Sequence, residues 1–130
     1  MIDKIAFILI QNQTVLSTRT RGKEVFYIPG GKRELGETDE QTLIREVKEE
    51  LNVDIKPDSI SYLETFTAQS HCAKKGVMVK MTCYTATFVG SLKASNEIAE
   101  LRWLHYEHMD IISEVDKKIF NYLKSKTLLK

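Results

Sequence analysis

The sequence predicts a mixed α/β fold, with a sheet of parallel and antiparallel strands covered on both faces by helices. Three observations carry this. Runs of β-branched and aromatic residues recur along the chain, two amphipathic helical stretches stand far apart among them, and glycine and proline signals separate the runs. Each helix has an apolar stripe to bury, and the sheet faces are where it goes. The 130 residues suit one domain, 1–130, around one core.

The elements follow in order. Ile5 to Ile10 reads as a buried strand, with Thr14 to Thr18 as its partner across a Gln11-Asn12-Gln13 turn. Glu24 to Ile28 is a short third strand, and Pro29-Gly30-Gly31 is expected to stop any regular element. Thr38 or Asp39 caps the first helix, and Asn52 ends it in a left-handed conformation. Pro57-Asp58 starts a turn. Ser59 to Gln69 and Val77 to Val89 read as strands about a polar loop near Ala73-Lys74-Lys75-Gly76. After a second polar loop, Gly90 to Asn96, Ile98 to Tyr106 is a strand on which Trp103 faces inward. Asp110 to Lys124 is the second helix, burying Ile112, Val115, Ile119, Tyr122 and Leu123.

Composition narrows the function. With 42% hydrophobic and 28% charged residues, the chain reads as an ordinary globular protein. A formal net charge of +1 speaks against duplex nucleic acid as a partner. No apolar stretch is long enough to span a bilayer, and no secretory signal opens the chain. Cys72 and Cys83 lack metal-ligand spacing and read as reduced thiols, so the expected location is cytoplasmic.

The first helix carries the chemistry. At about 100° per residue, Glu46, Glu49 and Glu50 share an arc of roughly 100°, and Leu43, Ile44, Val47 and Leu51 fill the adjoining one. Three acids on a helix are usually a solvated face. Here a glycine pair precedes them, Glu37 lies in the intervening loop, and Arg45 stands ready to pair with Glu37. A hard cation such as Mg²⁺ binds through a few carboxylates plus substrate phosphates, and this stripe offers that donor set.

The spacing from Gly31 through Glu37 and Arg45-Glu46-Val47-Lys48-Glu49-Glu50-Leu51-Asn52-Val53 resembles the Nudix hydrolase signature, G-x5-E-x7-R-E-U-x-E-E-x-G-U, where U is aliphatic. Asn52 stands in place of the last glycine, and asparagine preserves a left-handed cap. The resemblance implies a Nudix-type α/β/α sandwich with a central mixed sheet. It also implies Mg²⁺- or Mn²⁺-dependent hydrolysis of a nucleoside diphosphate linked to a group X. By that resemblance Glu46, Glu49 and Glu50 are metal ligands, assisted by a carbonyl of Gly30 or Gly31. Glu37 and Arg45 hold the loop. Glu49, Glu50 and Glu97 are the candidates for general base.

Lys32, Arg33, Arg19, Arg21 and Lys23 crowd this region, and Arg19, Arg21 and Lys32 are the candidates to bind substrate phosphates. Among Phe26, Tyr27, Tyr84 and Phe88, Phe26 is carried forward as a stacking residue, although aromatics on strands are mostly core. His105 and His108 lack a third ligand, and His71 and Cys72 read as pocket rim or solvent. The short chain is similar to MutT-type members, which act on nucleoside triphosphates. ADP-ribose, dinucleoside polyphosphates, coenzyme A compounds and capped RNA ends are alternative substrates, and a non-catalytic nucleotide sensor is the alternative function. The partner is a nucleotide or nucleotide derivative, bound by a monomer or a homodimer.

Overall fold

The computed structural model describes residues 1–70 and 76–130. The readings of His71, Cys72, Ala73, Lys74 and Lys75 lie outside the described residues. The strands are β1 (Ile2–Phe7), β2 (Ile10–Gln11), β3 (Thr14–Thr20), β4 (Phe26–Tyr27) and β5 (Gly30–Gly31), followed by helix α1 (Asp39–Leu51). Then come β6 (Asp54–Ile55), a 3₁₀ turn (Pro57–Ser59), β7 (Ser61–Gln69), β8 (Met78–Thr85), β9 (Phe88–Val89) and β10 (Ile98–Leu104). A second 3₁₀ stretch (Tyr106–Ile111) leads into α2 (Glu114–Ser125).

The expected mixed α/β architecture is present, with the strands divided among sheets. One mixed sheet has the order β5-β1-β8-β7, in which β1 and β8 are parallel. An antiparallel sheet has the order β10-β3-β2, with β4 also paired to β3, and β6 and β9 form a two-stranded ribbon. The expected Ile5–Ile10 strand therefore divides. β1 joins the mixed sheet, while β2 forms the hairpin with β3 through Asn12 and Gln13, both left-handed at φ 51° and 58°. An unbroken apolar run is buried on both faces, so periodicity gives no sign of where the chain changes sheets.

Gly30 and Gly31 also depart from expectation by pairing, opposite Ala6 and Ile5. They pair because they are glycines. A Cβ at Gly30 would stand 2.0 Å from the Ile5 carbonyl oxygen, and Gly30 has φ +146°. The expected Val77–Val89 strand breaks at Ala86-Thr87, where the Thr87 backbone bonds the Lys56 amide (2.9 Å) and the Ser59 hydroxyl (2.8 Å) instead of a neighbouring strand. The second helix begins at Glu114, behind a Ser113 cap, rather than at Asp110.

β1 positions the two halves of the core. Ile5 and Phe7 join Leu16, Leu43, Val47 and Leu51 under α1, whereas Ala6 and Ile8 join Val15, Ile119, Phe120 and Leu123 under α2. Trp103 is half-buried against the α1 cluster. Burying each large apolar side chain contributes about 1.5–3 kcal/mol. Repulsion within the carboxylate stripe costs only a few tenths of a kcal/mol per pair. The apolar face therefore holds α1 in place despite its charge. Thr38 and Gln41 close the N-terminus with reciprocal side-chain-to-backbone bonds, and Asn52 ends the helix at φ 59°, ψ 34°.

Candidate active site

The carboxylates of α1 meet the glycine strand directly. Glu50 is buried, 8% exposed, and its Oε1 accepts the Gly30 N–H at 3.1 Å. Glu46 lies over Gly31 so closely that a Cβ there would meet its Oε2 at 2.1 Å. Glu49, one helical step away, is half-exposed at the edge of the cluster. Burial is the chief force on the first two, and neighbouring acids add to it. Glu46 is pushed up to about 7 by desolvation and then by the Glu49 charge. Glu50 is pushed up to about 8 by desolvation, with Glu46 and Glu97 adding and the Gly30 N–H opposing.

Arg45 organises the loop before the helix. Its guanidinium donates to both carboxylate oxygens of Glu37 (2.6 and 2.9 Å) and to the Lys32 carbonyl (3.0 Å). It also lies 3.4 Å from Glu46 and 3.5 Å from Glu49. Glu37 accepts further bonds from the Glu34 N–H (2.7 Å) and the Thr42 hydroxyl (2.9 Å). Led by the Arg45 bond, these hold its carboxyl at about 2. The expected Glu37–Arg45 pair is thus formed. At the other side of the helix start, Asp39 accepts from Arg33 and from the Tyr84 hydroxyl, each at 2.7 Å. Tyr84 is tied to α1 by that bond. Arg45→Ala is expected to destabilise the protein by about 1–3 kcal/mol, because charged partners lose their hydrogen bonds, and to lower turnover. Thermal melting and initial rates check both effects.

A cavity of about 400 Å³ opens beside Glu50, Gly30 and Gly31. Lys4, Thr18, Tyr27, Lys32 and Ser113 also line it. Of the expected substrate-binding residues, only Lys32 lies there. Arg19 bonds Glu100 (3.1 Å) and the Lys23 carbonyl (3.2 Å) instead, because strand alternation turns Thr18 and Thr20 toward the cavity and Arg19 away. Arg21 donates to the Asn96 carbonyl at 2.8 Å. Phe26 is a correction: it is 3% exposed in the α2-side core, with Arg102 over its ring, so Tyr27 is the aromatic at the cavity.

Two charged groups escaped sequence reading. Lys4 is half-buried within an apolar strand. Asp116 is fully buried; its Oδ2 accepts the Ile28 N–H at 2.9 Å and its Oδ1 has no partner. Burial pushes Asp116 up to about 7. An acid adjoining the apolar stripe of Val115, Ile119 and Leu123 was the available signal. His105, Glu107 and His108 gather their ligand atoms within 4.8 Å, so a third ligand does stand beside the two histidines. His108 Nδ1, however, already accepts the His105 N–H at 3.0 Å.

The α1 cluster fits a divalent cation. Its donors are carboxylate oxygens, the choice of a hard ion. Gly31 leaves the space that Glu46 occupies, and burial, with the neighbouring acids adding to it, opposes charge on Glu46 and Glu50 that a cation would stabilise. The ordinary carboxyl value is 4.5, so between about 4.5 and 8 the metal-free folded state keeps protons that the unfolded chain has released. The metal-free protein should therefore lose stability as pH rises through this range. A Tm lower by ~5 °C or more at pH 8.5 than at pH 5.5 is expected. Saturating Mg²⁺ should remove the part due to Glu46 and Glu50 and leave the part due to Asp116.

The sequence matches the NUDIX domain family model over residues 2–123. The chain belongs to the Nudix family. Solved structures agree in fold. The Escherichia coli ORF135 protein superimposes with a TM-score of 0.75 at 22% identity, over 97% of this chain and 92% of that one. A Nudix hydrolase family member from Chromobacterium violaceum gives 0.71 at 25% identity, over 96% and 77%. A bifunctional NMN adenylyltransferase/ADP-ribose pyrophosphatase from Francisella tularensis, complexed with AMP and a Mn ion, gives 0.71 at 18% identity, over 97% and 42%. Among curated proteins none matches. This chain is accordingly a Nudix hydrolase. No helix among the described residues is long and apolar enough to cross a membrane.

Proposed function

We propose that this Nudix hydrolase cleaves a nucleoside or deoxynucleoside triphosphate to the monophosphate and pyrophosphate, using Mg²⁺ or Mn²⁺ held by Glu46, Glu49 and Glu50. The observation that carries the reading is a cavity lined by Glu50, Gly30 and Gly31, with Glu46 seated over Gly31, that also presents Lys4 and Lys32. Acids there suit the cation and lysines suit the phosphates. Once bound, the cation neutralises phosphate oxygens and lowers the pKa of coordinated water. Gly30, through its N–H, holds Glu50 at the glycine strand, and Arg45 fastens Glu37 and its loop onto the helix. The water oxygen bonds to phosphorus as the bridging P–O bond breaks, and the water's proton passes to a carboxylate. Glu49, half-exposed at the cluster edge, and Glu97, exposed in the loop before β10, are the acceptors we propose for it.

The test is a panel of nucleoside triphosphates, dinucleoside polyphosphates, ADP-ribose, nucleotide sugars and coenzyme A with Mg²⁺ or Mn²⁺, products resolved by mass. Monophosphate and pyrophosphate from a triphosphate support the reading. Preferential cleavage of ADP-ribose or of a dinucleoside polyphosphate would replace the substrate, and binding with no turnover of any compound would favour the sensing role.

A further inference from the structure

The last turn of α1 leaves carbonyls without partners inside the helix, as every helix does. Here one loop takes three of them. The Lys93 N–H donates to Leu51 O (2.9 Å), the Ser95 N–H to Glu50 O (3.1 Å) and the Asn96 side-chain amide to Glu49 O (2.6 Å). Asn96 itself is left-handed, at φ 55°, a conformation asparagine tolerates better than most residues. The far side of the loop is fastened to β3. The Arg21 guanidinium donates to Asn96 O (2.8 Å), and the Arg21 N–H donates to Glu97 O (2.9 Å). Glu97 thus stands between two anchored points, one of them on the helix that carries Glu46, Glu49 and Glu50. Its own side chain is exposed and makes no hydrogen bond or ion pair among the described residues.

We infer that Arg21 and Asn96 are positioning residues: together they clasp the 93–97 loop to the end of α1 and so hold the Glu97 backbone next to the turn that carries Glu49 and Glu50. The clasp gives Arg21 a task other than binding substrate. It also explains why this position carries asparagine, which combines left-handed backbone with a side-chain donor. Glycine supplies the first property without the second. The inference rests on the proposed role of Glu97 in metal-dependent hydrolysis.

A double-mutant cycle tests it, with Asn96→Gly, Glu97→Gln and the pair. Each variant is read by steady-state kinetics and, separately, by titrating the free protein with Mn²⁺ alone. Glu97→Gln should lower kcat or weaken Mn²⁺ binding by about tenfold or more, and Asn96→Gly should reproduce a large part of that loss. In the pair the two losses should not add, because the clasp acts only through Glu97. Arg21→Met should behave like Asn96→Gly, and Arg21→Lys should restore part of the loss. Full additivity would overturn the inference, as would a Glu97→Gln variant unchanged in both readouts. If the wild type cleaves no member of the panel, the Mn²⁺ cycle still decides the clasp, while the hydrolytic reading fails on its own. Circular dichroism melts verify that each variant is folded. Should Asn96→Gly fail to fold, Arg21→Met completes the same cycle with Glu97→Gln.

Discussion

Glu50→Gln is expected to lower kcat by about 10³-fold while leaving the metal-free protein at least as stable as the wild type. The two halves of this expectation have one cause. Glu50 is buried beside Glu46, and desolvation pushes its carboxyl up to about 8. Folding therefore works against its charge whenever no cation is present. Glutamine has nearly the same shape and keeps an oxygen for the Gly30 N–H, so packing and hydrogen bonding survive. What disappears is the negative charge that a cation needs. The melting temperature without metal should hold or rise at pH 8, and the increase caused by Mg²⁺ in the wild type should shrink or vanish. A variant that lost stability as well as rate would mean that Glu50 serves the fold before the chemistry.

Gly30→Ala is the second large effect, and it falls on the backbone. The added methyl would stand 2.0 Å from the Ile5 carbonyl oxygen and 2.9 Å from Ala6 Cα, neither of which is a flexible side-chain end. The residue is also at φ +146°, a region that L side chains rarely adopt. Either β5 detaches from β1 or β1 shifts, and β1 lies between both halves of the core. A loss of about 3 kcal/mol or more is expected, near the upper end for single substitutions. Denaturant melts measure it directly. Detachment of β5 would also carry the Gly30 N–H away from Glu50, so the surviving folded fraction should bind Mn²⁺ poorly. Gly22→Ala is the comparison: among the described residues no atom beyond its chain neighbours lies within 4 Å of a Cβ there, and its φ of +80° opposes the change.

These two residues show what was legible in sequence. The spacing of Glu46, Glu49 and Glu50 on a helix is a local property, and the structure brings Glu46 and Glu50 beside the glycines, with Glu49 at the edge. The Glu37–Arg45 pair and the left-handed Asn52 are local too, within or next to the same helix. Arg19 and Arg21 were harder. Their type suggested phosphate binding, but the partners that claim them, Glu100 and Asn96, lie far along the chain and are recognisable only after β10 pairs with β3. Phe26 was ambiguous because a buried aromatic and a stacking aromatic have the same sequence context. The division of Ile5–Ile10 between β1 and β2 was hidden because apolar burial on both faces erases alternation. Asp116 and Lys4 carried only the weak signal of a charge inside an apolar pattern.

The cation's position is read by a nuclear magnetic resonance titration of the isotopically labelled protein with Mn²⁺, whose unpaired electrons broaden nearby amide signals. If the carboxylates of α1 gather the cation, the signals of Gly30, Gly31, residues 46–50 and Glu97 disappear first, and Glu50→Gln raises the Mn²⁺ concentration required. Broadening centred on His105 and His108, or an unchanged titration in Glu50→Gln, would contradict the account.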